Sequence, residues 1–480
     1  LFTTEPKNLK ELRKAPDADL WVEAMKKEIK TLVDMGTFKG IKVTDPEADK
    51  RRMKTTWVFK VKRDEHGRFV KRKARLCACG YSMRNGVDYH ETASPVLQKD
   101  EARLLFALQA IFCLKALQFD IVNAFTTAPA DTEIYIGLPD GIDLIGPVKI
   151  DENHMLNDKD LLLLKLLKIL YGTKQGTRLF YKFLREKLLA KGFVPLGASP
   201  CILYRWHEGV IMIAGVYVDD VAVLTNNPEK TKELMMNLGG GITMKYEGEV
   251  ANFIGMTIES NNDEIRIHRR QGIVDMIEEF ELGDAKCNEI PMSGQLEAGD
   301  ESFNGNYRTL IGQLLYLDKL CRPDICAPVS MLSSFNDKPT VACWKAAKGI
   351  VKYLNGSKDM YLSYKFGEPN LKQKLSITAW SDADYATDKV DRRSRTGVVL
   401  YLNDCLIDWC SVKQKSVALS TCEAEYMAMA DAAKRIKWLC FVLDELGLCY
   451  DVPVLYTDNQ AARSIAVNDT LKSKTKHIDI

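Results

Sequence analysis

Apolar and polar positions alternate in recognisable periods along this chain. In LWVEAMKKEIKTLVDM (20–35), Trp21, Ala24, Met25, Ile29, Leu32 and Val33 share one face, which predicts an amphipathic helix. KTTWVFKVKRDEHGRFVKRKARL then changes to period two. Trp57, Phe59 and Val61 point one way and Lys60 and Lys62 the other, with turn chemistry at Asp64-Glu65-His66-Gly67, so a basic hairpin is expected. Helical spacing returns from Lys99 to about Cys113, a strand runs into Asp120, and a loop carries Pro139-Asp140-Gly141. Residues 160–192 read as largely helical around a break at Tyr171-Gly172. Ile211 to Leu224 reads as two strands folded at a pair of aspartates, and 251–268 as a hairpin turning at Asn261-Asn262-Asp263. From about 270 to 360 the pattern is helical, broken at Pro291, Gly305, Pro323 and Pro339. A second α/β region follows from Leu375: three strands, a long helix from about Thr421, a strand ending at Thr457, and a final helix.

The 480 residues exceed one compact core, so several domains are expected. Apolar content of 46% and charged content of 28% suit a globular protein, and no apolar run approaches the roughly 18–20 residues that span a bilayer, so no membrane partner is expected. The N-terminus, LFTTEPKNLK, has no apolar signal core and begins with Leu, which suggests a piece of a longer translation product. Thirteen cysteines without Cys-x-x-Cys pairs read as reduced thiols of an intracellular protein, not as a zinc site. The net charge of +2 says little, but its distribution does: twelve Lys/Arg stand between Lys50 and Arg75 against Asp64 and Glu65. Such a block suits either a polyanion partner or a solvated face.

Two stretches then carry chemistry. In GVIMIAGVYVDDVAVLTNN, a turn accounts for one aspartate, but two carboxylates beside apolar strands are costly without a cation. A hard divalent cation is the natural partner. In LKALQFDIVNAF, Asp120 ends an apolar strand, where a strand-end or capping role is the simpler reading of that residue alone. Taken together, one carboxylate from a strand end and two from a hairpin could hold two metals about 3.5–4 Å apart, magnesium or manganese by ligand type.

Tyr217-Val218-Asp219-Asp220 is similar to the palm signature of reverse transcriptases, and Asp120-Ile-Val-Asn-Ala-Phe125 resembles that family's first aspartate motif. TWVFKVKRDEHGRFVKRKARL, GVDYHETASPV, EIYIGLPDGI, LYGTKQGTR, YRTLIGQLLYL and CRPDICAPVSMLSSF look like ordered blocks of the Ty1/copia branch, so the likeness runs from about Trp21 to Ile480. The resemblance implies that Asp120, Asp219 and Asp220 are a polymerase triad binding Mg2+ or Mn2+, two ions per site. Phe125 would be a steric gate against a ribose 2′-hydroxyl. Lys73 and Arg75, on the basic hairpin as fingers, would meet the incoming triphosphate, and Gln175 would lie beside the nucleotide. It also implies an α+β multidomain fold: fingers and palm over 1–260, a mostly helical thumb and connection over 261–370, and an α/β ribonuclease H-like domain over 371–480. Primer–template RNA or DNA and deoxynucleoside triphosphates would be the partners. Integrase and capsid parts of the same polyprotein, and a cytoplasmic virus-like particle with later nuclear delivery, follow from the same likeness.

The C-terminal region repeats the acidic logic. Trp380-Ser-Asp382-Ala-Asp384 ends a strand, Thr421-Cys-Glu423-Ala-Glu425-Tyr opens the long helix, and Tyr456-Thr-Asp458-Asn ends another strand. Each acid alone suits a turn, a helix dipole or a cap. In this order they resemble the ribonuclease H fold, which implies Asp382, Glu425 and Asp458 as metal-binding catalytic acids, with Glu423 the less well matched alternative. The family's fourth carboxylate follows a final strand, whereas this chain stops at Lys476-His-Ile-Asp479-Ile480. Asp479 is a poor substitute, so a truncated module with weak or no ribonuclease H activity is the expectation. Other positions also depart from the family: Cys79 for Arg, Ala93 for Phe, TKQGTR for Leu-Lys-Gln-Ala-Pro-Arg, and Thr126-Thr127-Ala128 for Leu-x-Gly. The leading reading is RNA- and DNA-directed DNA polymerisation with an attached ribonuclease H module. The alternative is a catalytically decayed or host-adopted remnant that only binds nucleic acid. An unrelated two-domain metal hydrolase would leave the block order unexplained.

Overall fold

In the computed structural model, which describes residues 5–42, 52–63, 69–152, 154–156, 161–292, 301–388 and 390–467, the chain divides into two units. The turn expected at 64–67 and Asp479 lie outside the described residues.

The first unit comprises the described parts of 1–96, 120–193 and 233–245. Its Ala18–Asp34 helix buries Trp21, Met25, Ile29 and Leu32, the face that helical spacing selects. That face packs on the antiparallel Thr55–Arg63 and Phe69–Ala78 hairpin, where Trp57 and Phe59 are buried beside Ala74 and Leu76. Asp17 and Arg72, both largely buried, tie the helix start to the hairpin at 2.6 Å. One expectation fails here: Leu161–Lys168 is a strand, not a helix. It is the central strand of a sheet, between Phe38–Lys42 and Pro129–Gly137. Leucine's helical preference is weak beside two flanking ladders and burial of Leu163, Leu164 and Leu166. A helix then covers only Gly176–Ala190.

The second unit comprises 97–119, 194–232 and the described residues from 246 onward. It holds most of a six-stranded sheet, ordered Met244–Glu249, Lys115–Ile121, Asp220–Thr225, Val210–Tyr217, Ile202–His207 and Val194–Pro195. The Lys99–Ile111 helix is buried almost all round, its start held by Glu101 accepting the Gln98 N–H at 2.7 Å. Its Leu105 lies where a Cβ on Gly215 would stand, 2.4 Å away, so a glycine there lets the helix close on the sheet. Helices Arg270–Glu279, Tyr307–Cys321, Cys326–Ser333 and Val341–Gly356 bear out the helical middle region. The hairpin expected at 251–268 is present as Met256–Ser260 and Glu264–His268.

The C-terminal part is a four-stranded sheet ordered Cys405–Lys413, Arg395–Leu402, Ile377–Asp384 and Val454–Tyr456. The first three run antiparallel and the last joins in parallel. The Thr421–Glu445 helix packs on the two middle strands. All thirteen cysteines are free thiols, and burial pushes Cys321 and Cys405 up to about 12, so these two serve as packing groups. Among the described residues no helix is long and apolar enough to cross a membrane.

Candidate functional sites

The first site is built on a tight hairpin. Val210–Tyr217 pairs antiparallel with Asp220–Thr225, with Tyr217 opposite Asp220, so Val218 and Asp219 alone make the loop. Such two-residue loops demand left-handed backbone, and Val218 adopts it at φ 55°. A β-branched residue there is strained by about 1–3 kcal/mol, a feature that collects at functional sites. The flanking strands are almost wholly buried from Val210 to Val216 and Val221 to Leu224, which fixes the register that puts the two aspartates at the rim. Both acids are half-buried. Gln118 Nε2 donates to Asp220 Oδ1 at 3.0 Å and to the Asn252 carbonyl at 2.9 Å. Gln118 lies on Lys115–Ile121, the strand next to Asp220–Thr225, and Asp120 follows two residues on. Asp120 itself belongs to the first unit, Asp219 and Asp220 to the second.

In the first unit, Arg75 and Phe125 meet at a residue that motif reading passed over. Arg75 lies 4.3 Å over the Tyr171 ring, and Phe125 packs against that ring at a tilt, 4.7 Å between centroids. Phe125 also approaches Phe180 at 5.9 Å and would touch a Cβ on Gly176 at 3.2 Å. The turn carrying Tyr171 is closed against the hairpin: Ala78 N–H donates to the Tyr171 carbonyl at 2.7 Å, and a Cβ on Gly172 would meet the Ala78 carbonyl at 2.1 Å. Gly172 also sits at φ +90°, so both space and backbone require glycine. Aromatic stacking across a sequence gap of about fifty residues leaves no local signal, so spacing alone shows only the Tyr171-Gly172 break.

Lys73 is half-buried on the hairpin, and burial, then the Arg75 and Lys62 charges, push its ammonium pKa down. Glu28 on the Ala18–Asp34 helix faces both cations, yet burial raises its carboxyl more than they lower it. Gln175 is fully buried. Its Nε2 donates to the Asp88 carbonyl at 2.9 Å and to Thr132 Oγ1 at 3.3 Å, while its Oε1 has no partner. The departures after Phe125 are accommodated, since buried Thr126 and Thr127 donate their hydroxyls to the Asn123 and Ala124 carbonyls.

The second site gathers three acids. Single ligand atoms of Asp382, Glu425 and Asp458 all lie within 4.8 Å of one another. Strand pairing explains the meeting. Trp380 is in register with Tyr456 across the parallel pair, and each strand presents an aspartate two residues further on. Alternation buries Ile377, Ala379 and Ser381 and exposes Trp380 and Asp382. The helix start decides between the two glutamates. Ser420 Oγ accepts the Glu423 N–H and Glu423 accepts the Leu419 N–H at 2.6 Å, so Glu423 is the helix-capping group. Glu425 instead faces the sheet, 7% exposed. Burial first, then the Asp382 and Asp458 charges, raise its carboxyl to about 6. Its Oε2 is buried with no hydrogen-bond partner. An orphaned carboxylate oxygen facing two further carboxylates is a donor set that a hard divalent cation completes. Asp382 and Asp458 border an open cleft of about 740 Å³ that Trp380 and Tyr456 also line.

Comparison with known proteins gives the family. Residues 38–294 match the family described as reverse transcriptase (RNA-dependent DNA polymerase). The chain is 32% identical over 99% of its length to the retrovirus-related Pol polyprotein from transposon TNT 1-94 of Nicotiana tabacum. It is 33% and 31% identical, each over 96% of its length, to those from transposons RE1 and RE2 of Arabidopsis thaliana. It spans 35%, 30% and 31% of these relatives, about a third of each. The chain therefore belongs to the reverse transcriptase (RNA-dependent DNA polymerase) family, in the copia-type branch carried by retrotransposon Pol polyproteins.

Proposed function

We propose that this chain is an RNA- and DNA-directed DNA polymerase with an attached ribonuclease H module, acting on primer–template and deoxynucleoside triphosphates. The observation that carries the reading is the Val218–Asp219 loop: a strained two-residue turn on almost wholly buried strands, within the segment matching the reverse transcriptase family. Asp219 and Asp220 are the carboxylates of the polymerase site, with Asp120 as its third acid. Gln118 orients Asp220 through its 3.0 Å hydrogen bond. Divalent cations held there, Mg2+ or Mn2+ and two per site, would supply Lewis acidity to a primer 3′-hydroxyl and offset charge on the departing pyrophosphate.

The other roles fall to the first unit. Lys73 and Arg75 meet the triphosphate, and a low Lys73 pKa costs little because a polyanion restores the charged form. Phe125 closes the space beside the sugar, held from moving by Tyr171 and Phe180. Tyr171 joins them as the platform that orients Arg75. Gln175 acts from beneath, fixing the turn through Asp88, and its spare Oε1 is the one group it can offer. The fold would be a right hand of fingers, palm and thumb joined through a connection to the nuclease module. In that module Asp382, Glu425 and Asp458 would hold the cations that activate water against an RNA phosphodiester. Grip on the hybrid should run mainly through phosphates and so weaken with salt. The element's integrase and capsid would be further partners, inside an intracellular particle. Buried, satisfied Thr126 and Thr127 weigh against the remnant reading, because these departures leave no defect in the turn.

Single-carboxylate variants separate the two activities. Asp219→Asn should bind an RNA/DNA hybrid but lose primer extension by roughly 100-fold or more while leaving any template cleavage intact. Asp382→Asn should leave extension intact and remove the weak cleavage expected of this module. Undiminished extension by Asp219→Asn would refute the polymerase reading, and undiminished cleavage by Asp382→Asn would refute the nuclease reading.

A further inference from the structure

The Cys405–Lys413 strand is an outer strand of the C-terminal sheet. Outer strands leave every second carbonyl facing away from the sheet, unpaired and open to other strands. On this strand the carbonyls of Ile407, Trp409 and Ser411, two residues apart, accept from outside the sheet. Each is taken by a side chain. Arg103 Nε donates to the Ile407 carbonyl at 2.7 Å, Lys319 Nζ to that of Trp409 at 3.3 Å, and Ser330 Oγ to that of Ser411. The three donors come from three helices: Lys99–Ile111, Tyr307–Cys321 and Cys326–Ser333.

Arg103 is the centre of the row. It is 2% exposed, and its guanidinium also donates to the Lys319 and Leu320 carbonyls. It lies 4.0 Å over the Trp409 ring and faces Asp408 at 3.8 Å. Asp408 in turn pairs with Arg435 on the Thr421–Glu445 helix, and Trp409 Nε1 donates to Asp318 Oδ1 at 2.8 Å. A buried guanidinium is tolerated only while all its donors are met, so any one of these elements that moves away strands it. That cost makes opening of the helix, the connecting helices and the sheet a joint event.

We propose that this row of side chains stands in for a missing neighbour strand and makes the C-terminal sheet one folding and mechanical body with the Lys99–Ile111 helix, with Arg103 as the fastening residue. Residue 103 lies inside the reverse transcriptase match, and 405–413 lie well outside it. The Asp219–Asp220 loop and the Asp382, Glu425 and Asp458 cluster therefore keep a set separation, whatever chemistry each performs.

Native-state hydrogen exchange on the whole chain tests this without reference to activity. Amides of 395–402, 405–413 and 99–111 should merge into one opening with one denaturant dependence. A separate, shallower opening of the sheet while 99–111 stays protected would overturn the proposal. Arg103→Lys keeps the charge but lacks the fork that reaches the Ile407, Lys319 and Leu320 carbonyls together. It should speed exchange in 405–413 by roughly 100-fold or more and leave strands 202–225 unchanged. Unchanged exchange in 405–413 would also overturn it. If that variant does not fold, the measurement on the unaltered chain still decides.

Discussion

At the scale of single residues, the nucleotide side of the first unit rests on one ring. Tyr171 holds Arg75 over its face and packs its ring against Phe125. Loss of the ring should release both, at a cost of about 1 kcal/mol for the cation–π pair alone. Tyr171→Ala is therefore expected to raise the KM for deoxynucleoside triphosphates by roughly tenfold, while Tyr171→Phe stays near the parent. Steady-state primer extension checks this, and equal defects in both variants would contradict a role for the ring. Gln175 and Glu423 show the opposite traffic between motif and role. The first is a buried brace for the turn, and the second caps a helix, which leaves Glu425 as the acid facing the sheet.

At the scale of elements, the loop after Ile377–Asp384 is held by charge. Asp388 accepts the Val390 and Asp391 N–H groups and pairs with Lys413 at 2.5 Å. The Lys413 hydrogen bond, aided by those two amides, holds its carboxyl at about 2, below the usual aspartate range. A carboxyl lowered in the folded state adds stability above its unfolded pKa near 3.8 and loses it as pH falls toward 2. Asp388→Asn should thus cost about 1–2 kcal/mol at neutral pH, discounted for partial exposure, and nearly nothing at about pH 2. Urea melts at the two pH values measure it, and a cost that does not shrink in acid would contradict the account. Elements with a clean period were legible in the sequence: Ala18–Asp34, the 55–78 hairpin strands, the Asp219 hairpin and the C-terminal order of strands and helices. Leu161–Lys168 was not, because LLLLKLLK suits a buried strand as well as a helix and only its two partner strands decide. The acids were legible because carboxylates at the ends of apolar strands are costly wherever they occur. Tyr171, Gln118 and Arg103 were not, because each acts through a partner distant in sequence or on another element.

At the scale of the whole chain, each unit has its own logic. The first gathers the basic hairpin, the Tyr171 turn and Asp120, and the second gathers the Asp219–Asp220 loop and the C-terminal acid cluster. The second unit closes an outer strand with side chains from three helices, so its two acidic sites belong to one body. The central claim is that Asp120, Asp219 and Asp220 act together in templated DNA synthesis. Its most direct test is extension of oligo(dT) on poly(rA) with magnesium or manganese, comparing the unaltered chain with Asp120→Asn. Extension by the unaltered chain, and its loss in a variant that still binds the hybrid, is the expected result. Full extension by Asp120→Asn, or none by an unaltered chain that binds hybrid, would contradict the claim.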